Sequence, residues 1–192
     1  MALNINSNFL WAYKNRAIAY LSLNNYQSAI KDFNSAINLG ENEVFFHKGK
    51  AEIGLQDYKS AIKDFNSAIQ FNVNFEAAYR LRGMAKLFLN EIDEYESAIA
   101  DLDKAISLNS NDEDAFFFRS VSNIRLEKYL NAFNDINMAI KLNVKNGEYY
   151  YIRGCIFYKV GKMNDACSDF LKSKDLGNKD GTEKYETFCN GK

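Results

Sequence analysis

One ten-residue segment occurs twice in the chain. Residues 28–37 and residues 60–69 both read SAIKDFNSAI, an interval of 32 residues. Self-similarity at a fixed interval of about 20 to 50 residues is typical of arrays in which each unit covers the apolar face of the next. The duplication therefore predicts a stacked repeat protein, whose function lies on a shared surface instead of in one catalytic cleft.

The same register extends along most of the chain. Each unit has an alanine anchor, a bulky apolar residue four places later and a small residue seven places later, and these positions share one face of a helix. The anchors are Ala29, Ala61, Ala98, Ala132 and Ala166. The bulky residues are Phe33, Phe65, Leu102, Ile136 and Phe170. This spacing predicts an amphipathic second helix in each of five units.

Another helical segment precedes each anchor and contains a small residue with an aromatic ring four places before it. The small residues are Ala17, Gly49, Gly83, Ser120 and Gly154. A small residue lets a neighbouring helix approach closely, and the ring fills the space beside it. Each unit is therefore predicted to be a helix–turn–helix hairpin. We expect the Gly or Asn after each second helix to close it in the left-handed conformation. These residues are Gly40, Asn72, Asn109, Asn143 and Gly177.

These residues resemble the tetratricopeptide repeat, a helical hairpin of about 34 residues with aromatic, small and A-x3-F-x2-A positions. The resemblance covers residues 10–180, although the proline that often follows the second helix in this family is missing throughout. It implies an all-α fold, a right-handed α-α superhelix (solenoid) of helix–turn–helix hairpins. The predicted units are 10–41, 42–75, 76–112, 113–146 and 147–180, preceded by an N-terminal segment 1–9 and followed by a capping helix and tail at 181–192.

The charge balance narrows the class of partner. The 24 basic and 25 acidic residues are interspersed and give a net charge of −1, so the sequence offers no basic surface for a nucleic-acid backbone. This argues against the pentatricopeptide RNA-binding proteins, which share helical hairpins. There is no run of 18 apolar residues and no basic, apolar leader. We therefore expect no membrane insertion and, for the chain as given, a cytoplasmic location.

In tetratricopeptide proteins the first helices of successive repeats line a concave groove that holds a peptide or a partner's helix. Groove positions lie three residues before each small residue and one, four and five residues after it. In this chain they predict a mildly basic, aromatic-lined groove suited to an acidic or carboxylate-bearing ligand. The selected groove residues are Lys14, Phe46, Lys50, Arg80, Met84, Phe88, Phe117, Arg125, Tyr151 and Tyr158. We expect about half of the groove positions to be partly buried, because packing between units needs many apolar side chains.

Asn15 is also predicted to be a groove residue, because of a second resemblance. The segment around it resembles one part of the two-carboxylate clamp with which tetratricopeptide cochaperones grip a C-terminal carboxylate. The next two repeats carry His47 and Leu81 at the equivalent position. The clamp is therefore incomplete.

The sequence supports an interaction scaffold and gives no support for an enzyme. His47 is the sole histidine, and no motif supplies it with a catalytic partner. A phosphate-binding loop, a paired-histidine metal motif and a nucleophile elbow are also missing from the sequence. We therefore predict a non-enzymatic scaffold that binds a protein or peptide, with no cofactor. The alternative is the targeting or regulatory portion of a larger enzyme or of a secretion or assembly component.

Two of the three cysteines lie close to the C-terminal end. If the capping helix runs antiparallel to the helix that carries Cys167, Cys189 lies level with it, as a disulfide requires. The surrounding segments also resemble the ends of tetratricopeptide proteins from Bacteroidetes-like bacteria, several of them exported. The alternatives are a disulfide, which would indicate an exported or periplasmic location, and two reduced buried thiols. Cys155 is predicted to be a free thiol.

The N-terminal segment admits two interpretations. Ala2-Leu3-Asn4 resembles the closure of a second helix, which would make residues 1–9 the remnant of a preceding repeat. That interpretation leaves Trp11 and the first helix exposed, as a surface for self-association or for contact with upstream sequence. The alternative is a flexible segment that covers the first helix.

Overall fold

The computed structural model describes residues 2–189 and the side chains of residues 9–189. This part of the chain folds into eleven α-helices and contains no strand. The helices are α1 (Ala2–Ser22), α2 (Tyr26–Asn38), α3 (Phe45–Gly54), α4 (Tyr58–Phe71), α5 (Glu76–Leu89), α6 (Ile92–Leu108), α7 (Glu113–Arg125), α8 (Tyr129–Leu142), α9 (Gly147–Lys159), α10 (Met163–Asp175) and α11 (Lys179–Phe188). None of the helices within the described residues combines the length and the apolar character needed to cross a membrane.

The helices pack in the order of the chain within two compact units, Met1–Glu94 and Tyr95–Lys192. In the first unit α1 packs on α2 and α3 on α4, while α2 contacts α3 and α4 contacts α5. In the second unit α7 packs on α8 and α9 on α10, while α8 contacts α9 and α10 contacts α11. Within each unit, successive helical hairpins therefore pack side by side.

The predicted anchors form the core of the hairpins. All five anchor alanines are fully buried, and the bulky residues that follow them are buried as well. The need for a small residue in the first helix is visible at two places. A Cβ added at Gly49 would lie 2.8 Å from the Phe65 ring, and one at Gly154 would lie 2.7 Å from the Phe170 ring. Each second-helix ring thus fills the space that its first helix leaves open.

The turn inside each hairpin contains a residue with positive φ, always seven positions after the small residue of the first helix. These residues are Asn24, Gln56, Asn90, Glu127 and Gly161, with φ between 56° and 78°. Residues with a Cβ adopt this region at a cost, and Asn tolerates it better than Gln or Glu. The hairpin geometry therefore imposes one backbone conformation on five different turns, and sequence reasoning missed it.

The prediction for the ends of the second helices is correct at two glycines and wrong at two asparagines. Gly40 and Gly177 have φ of 96° and 81°, whereas Asn72 and Asn143 are extended, with φ of −141°. The side chain of Asn72 accepts a hydrogen bond from the N–H two residues later at 3.0 Å, and that of Asn143 does the same at 3.1 Å. This side-chain turn needs no left-handed residue.

Helix α1 is continuous from Ala2 to Ser22, and no residue in it has a positive φ. Leu3 and Asn4 therefore lie inside the first helix. The prediction that they close an earlier helix is wrong, because the backbone continues through them without the turn that such a closure requires.

Candidate functional site

The predicted groove residues lie on the first helix of each hairpin, and they differ in how far a ligand could reach them. Those exposed to solvent are Asn15, Lys50, Phe88, Arg125 and Tyr158. Those half-buried are Lys14, Phe46, Arg80, Met84 and Tyr151. The exposed members are therefore the ones that can contact a partner without rearrangement.

Two of the predicted cations are held by carboxylates of their own unit. Lys14 Nζ lies 3.1 Å from Glu41 Oε2 and 3.5 Å from Glu43 Oε2. Burial alone would lower the pKa of Lys14, but the interactions with these two carboxylates raise it above its ordinary value. Arg80 Nε lies 3.5 Å from Glu76 Oε1. Both cations are thus partly neutralised within the fold.

A cleft of about 480 Å³ in the first unit is lined by residues of α1, α2 and α3, among them Tyr26, His47 and Lys50. Lys50 Nζ lies 5.9 Å from the centre of the Phe46 ring, and no described carboxylate lies within ion-pair distance of it. His47 Nδ1 is buried and has no hydrogen-bond partner among the described residues.

The charge of this cleft rests on Lys50. Burial is the largest cause that lowers the pKa of His47 from its ordinary value of 6.5, and the nearby Lys50 and Lys14 lower it further. The His47 ring is therefore neutral at pH 7. The cleft combines one unpaired cation with aromatic and aliphatic walls, a combination that accepts an anionic or carboxylate-bearing group.

Phe117 is not available to a ligand. Its side chain is only 8% exposed, and its ring centre lies 5.2 Å from that of Phe118 and 5.3 Å from that of Tyr149. The prediction that Phe117 is a groove residue is wrong because α9 places Tyr149 against it. Arg125, in the last turn of α7, remains exposed in the second unit.

The first-helix face of α9 is covered in part by α11. The ring of Tyr158 lies 5.0 Å from that of Phe188, centre to centre. Tyr151 is half-buried, and its pKa rises to about 12, chiefly through burial and then through its interaction with Cys155. Burial also raises the pKa of the half-buried Cys155 thiol, which is free. The last hairpin therefore presents only part of this face to solvent.

Cys167 and Cys189 are joined in a disulfide, with 5.6 Å between their Cα atoms. The bond links α10 to the residue that follows α11. Among the described residues no group of three or more His, Cys, Asp or Glu side chains could hold a metal ion.

A series of ion pairs on the hairpins was not found from the sequence. In four of the five hairpins a cation of the first helix contacts a buried Asp of the second helix, 16 residues further on. The pairs are Arg16–Asp32, Lys48–Asp64, Arg119–Asp135 and Arg153–Asp169. Two of these cations also reach back to the preceding second helix, where Arg119 contacts Asp103 and Arg153 contacts Asn137. Each copy of the duplicated segment supplies the Asp of one of the first two pairs. The repeated segment therefore helps to join the second helix of a hairpin to its first helix.

Comparison with protein-family models identifies three segments, and each model is described as a tetratricopeptide repeat. They are residues 10–42, 43–72 and 78–112, which together make up half of the chain. The chain is a tetratricopeptide repeat protein. No curated protein sequence matches it.

Solved structures of tetratricopeptide repeat proteins share the fold at low sequence identity. MamA residues 41-end from Desulfovibrio magneticus RS-1 superimposes with a TM-score of 0.80 at 18% identity, covering 88% of this chain and 94% of that one. TTC0263 from Thermus thermophilus gives 0.71 at 15%, with 93% and 97% covered. YrrB, a tetratricopeptide repeat protein with an unusual peptide-binding site, gives 0.74 at 17%, with 91% and 90% covered.

The tetratricopeptide repeats and these neighbours support a protein–protein interaction scaffold. The predicted likeness to Bacteroidetes proteins is not shown by the comparisons.

Proposed function

We propose that the chain is a non-enzymatic scaffold that binds a peptide or protein segment through the first helices of its repeats. The observation that carries the proposal is the cleft of the first unit, where the unpaired Lys50 lies beside the Phe46 ring. Cations one residue before the small residue of a first helix, such as Arg119 and Arg153, are already engaged by carboxylates. Of the predicted groove cations, Lys50 and Arg125 are therefore the ones with free capacity for a ligand.

The ligand chemistry follows from these two cations. A Lys beside an aromatic ring attracts a carboxylate while the ring packs on apolar atoms, so an acidic or carboxylate-bearing segment is favoured. Phe88, which is exposed and lies 5.6 Å from Tyr58 between ring centres, offers a further apolar contact in the first unit. Rim charges of this kind affect the rate and specificity of association more than its affinity.

The experiment is a matched charge reversal. Lys50→Glu combined with Arg125→Glu is compared with Lys31→Glu combined with Lys63→Glu, which places the same charges on exposed positions of α2 and α4. Tagged proteins capture partners from a lysate of the source cells, with mass spectrometry as the readout. We expect the first pair of changes to lose specific partners that the second retains. Capture unchanged by the first pair would contradict the proposal.

Self-association is a second proposal, carried by the N-terminal end. Phe9 and Trp11 are 56% and 65% exposed. Exposed large apolar side chains of this kind favour contact with another surface. Trp11→Ser should lower the mass measured by sedimentation equilibrium if this end joins two copies; an unchanged mass would defeat the idea.

For location we propose an oxidising, exported compartment, because disulfides form there and are rare in a reducing cytoplasm. The pairing of Cys167 with Cys189 supports this proposal. Peptide mapping without reduction, on protein taken from its native compartment, tests it. Free alkylation of both cysteines would favour the cytoplasm.

A further inference from the structure

Helix α11 lies over the part of α9 where groove positions occur. Phe188 packs on Tyr158, and Asp180 and Lys184 are close enough to Cys155 to influence its pKa. Asp180 also contributes to the raised pKa of Tyr151. Three groove positions of the fifth repeat thus face a helix of the same chain.

Helix α11 packs on α10 and on α9, but it buries few of its own side chains completely. Gly181 is its only buried residue, whereas each of α2, α4, α8 and α10 buries at least four. Gly181 sits against Ser173, and the side chain of Asn178 accepts its N–H at 2.7 Å. These contacts secure only the N-terminal turn of the helix.

The C-terminal half of α11 is attached by the contact of Phe188 with Tyr158, by two contacts of Lys174 and by one covalent bond. Lys174 Nζ lies 3.2 Å from Glu186 Oε1 and 5.2 Å from the centre of the Tyr185 ring, both near the surface. Exposed pairs of this kind contribute little, and a helix of ten residues is marginal on its own in water. The disulfide is therefore the covalent attachment of this half, beside the non-covalent contact of Phe188 with Tyr158.

The disulfide takes the place of an apolar contact between successive hairpins. Cys167 follows the buried Ala166 as Phe133 follows the buried Ala132. The Phe133 ring packs on Phe157 of the next first helix, 5.4 Å between centres. At Cys167 the next helix is α11, and the link is covalent and can be broken by reduction.

We propose that α11 is a redox-controlled cover over the first-helix face of the fifth repeat. A dithiol reductant breaks the S–S bond of Cys167 and Cys189; each sulfur gains one electron and one proton, and the two thiols of the reductant become a disulfide. The C-terminal half of α11 then leaves α9 and increases the exposure of Cys155 and Tyr158. This inference concerns the regulation of the proposed binding face and rests on that function.

The first test uses Cys155 as a reporter. In the oxidised protein it is the free cysteine, so N-ethylmaleimide reacts there alone. We expect at least a roughly tenfold faster reaction in the Cys167→Ser/Cys189→Ser variant, measured by intact mass over time, because the thiol gains access to solvent. Cys155→Ser in the oxidised protein is the control and should take up no label. Equal rates in the oxidised protein and the double variant would overturn the proposal.

The second test leaves the sequence unchanged. It distinguishes a bond that holds α11 over one face from a bond that stabilises the whole unit. Amide hydrogen exchange is followed by mass spectrometry before and after reduction with dithiothreitol. We expect faster exchange in α11 and unchanged exchange in α7 and α8. Unchanged α11, or equal loosening of α7 and α8, would contradict the proposal. Neither test needs a binding partner. A negative result would therefore overturn the redox-controlled cover without bearing on the scaffold function.

Discussion

The two copies of SAIKDFNSAI have the same ten residues and different surroundings. In the first copy Asp32 accepts two hydrogen bonds from the Arg16 guanidinium, at 2.5 and 2.9 Å. In the second, Asp64 shares the single Lys48 ammonium with Glu52, at 2.6 and 3.0 Å. The first helix therefore decides how the identical second helix is stabilised.

Beside the second copy, the first helix α3 adds a second carboxyl, Glu52, next to the single cation Lys48. Glu52 is only 4% exposed, and its Oε2 has no hydrogen-bond partner in the described part of the chain. Burial is the main cause that raises the pKa of Glu52 from 4.5 to about 7, and the neighbouring Asp64 adds to the rise. At the same register in the second unit, Asn123 donates to Asp135 at 3.2 Å. An amide that donates a hydrogen bond thus occupies the register position at which the pKa of Glu52 is raised to about 7.

The largest expected effect comes from Glu52→Gln. A folded-state pKa above the unfolded value means that stability falls as pH rises from about 4.5 to about 7, and the loss is complete above 7. The variant cannot ionise, so it should match the wild type below pH 4.5 and exceed it at pH 8 by up to roughly 3 kcal/mol, since each pKa unit corresponds to about 1.4 kcal/mol. Urea unfolding across this pH range measures the difference.

The control for this prediction is Glu43→Gln. Glu43 lies in the same unit, and its side chain is 84% exposed. It should show no gain between pH 4.5 and about 7, the interval set by Glu52. A Glu52→Gln curve parallel to that of the wild type would mean that Glu52 is ionised in the fold like an ordinary surface carboxylate.

A smaller effect separates the two aspartates. Asp32→Asn removes a buried carboxylate that accepts charged hydrogen bonds and should lower the free energy of unfolding by about 1 to 2 kcal/mol at about pH 8. Asp64→Asn should change it by less than about 0.5 kcal/mol, because Lys48 keeps Glu52 and the new amide can donate to the unpaired Glu52 oxygen. Urea unfolding of both variants gives the comparison. Equal losses would show that the first helix does not distinguish the two copies.

The smallest effect concerns the turns that lead into the two copies. Gln56 has a φ of 60° and Asn24 a φ of 56°. Gln56→Gly should raise the free energy of unfolding by roughly 0.5 to 1 kcal/mol, and Asn24→Gly by a few tenths at most, because Asn already tolerates this conformation. Gln27→Gly, inside α2, should instead lower it by about 1 kcal/mol in the same urea titrations. A larger gain at Asn24 than at Gln56 would refute this ranking.

The hairpin frame could be predicted because the sequence repeats the same pattern five times. The anchor alanines and the bulky residues that follow them keep their type in every unit, since the same buried space recurs. The positive φ of the turn could not be predicted, because the hairpin backbone requires this conformation whatever the side chain is. Gln56 and Glu127 both adopt it.

The candidate site was less accessible to sequence reasoning. Register placed Phe46 and Phe117 at equivalent positions, but burial of Phe117 depends on Tyr149 of another hairpin. The ion-pair series joins residues on two helices, so only the packed hairpin brings Arg16 to Asp32. The sequence predicts Lys14 as a groove cation, and only the structure shows that Glu41 and Glu43 lie beside it.

The central claim is that partners meet the first helices and leave the repeated second helices free. The most direct measurement places the photo-crosslinker benzoylphenylalanine at Lys50 of α3 or, in a separate protein, at Lys63 of α4; both positions are exposed. After irradiation in source-cell lysate, the account predicts covalent partner adducts from the crosslinker at Lys50 and none from the one at Lys63. Adducts at Lys63 with none at Lys50 would contradict it.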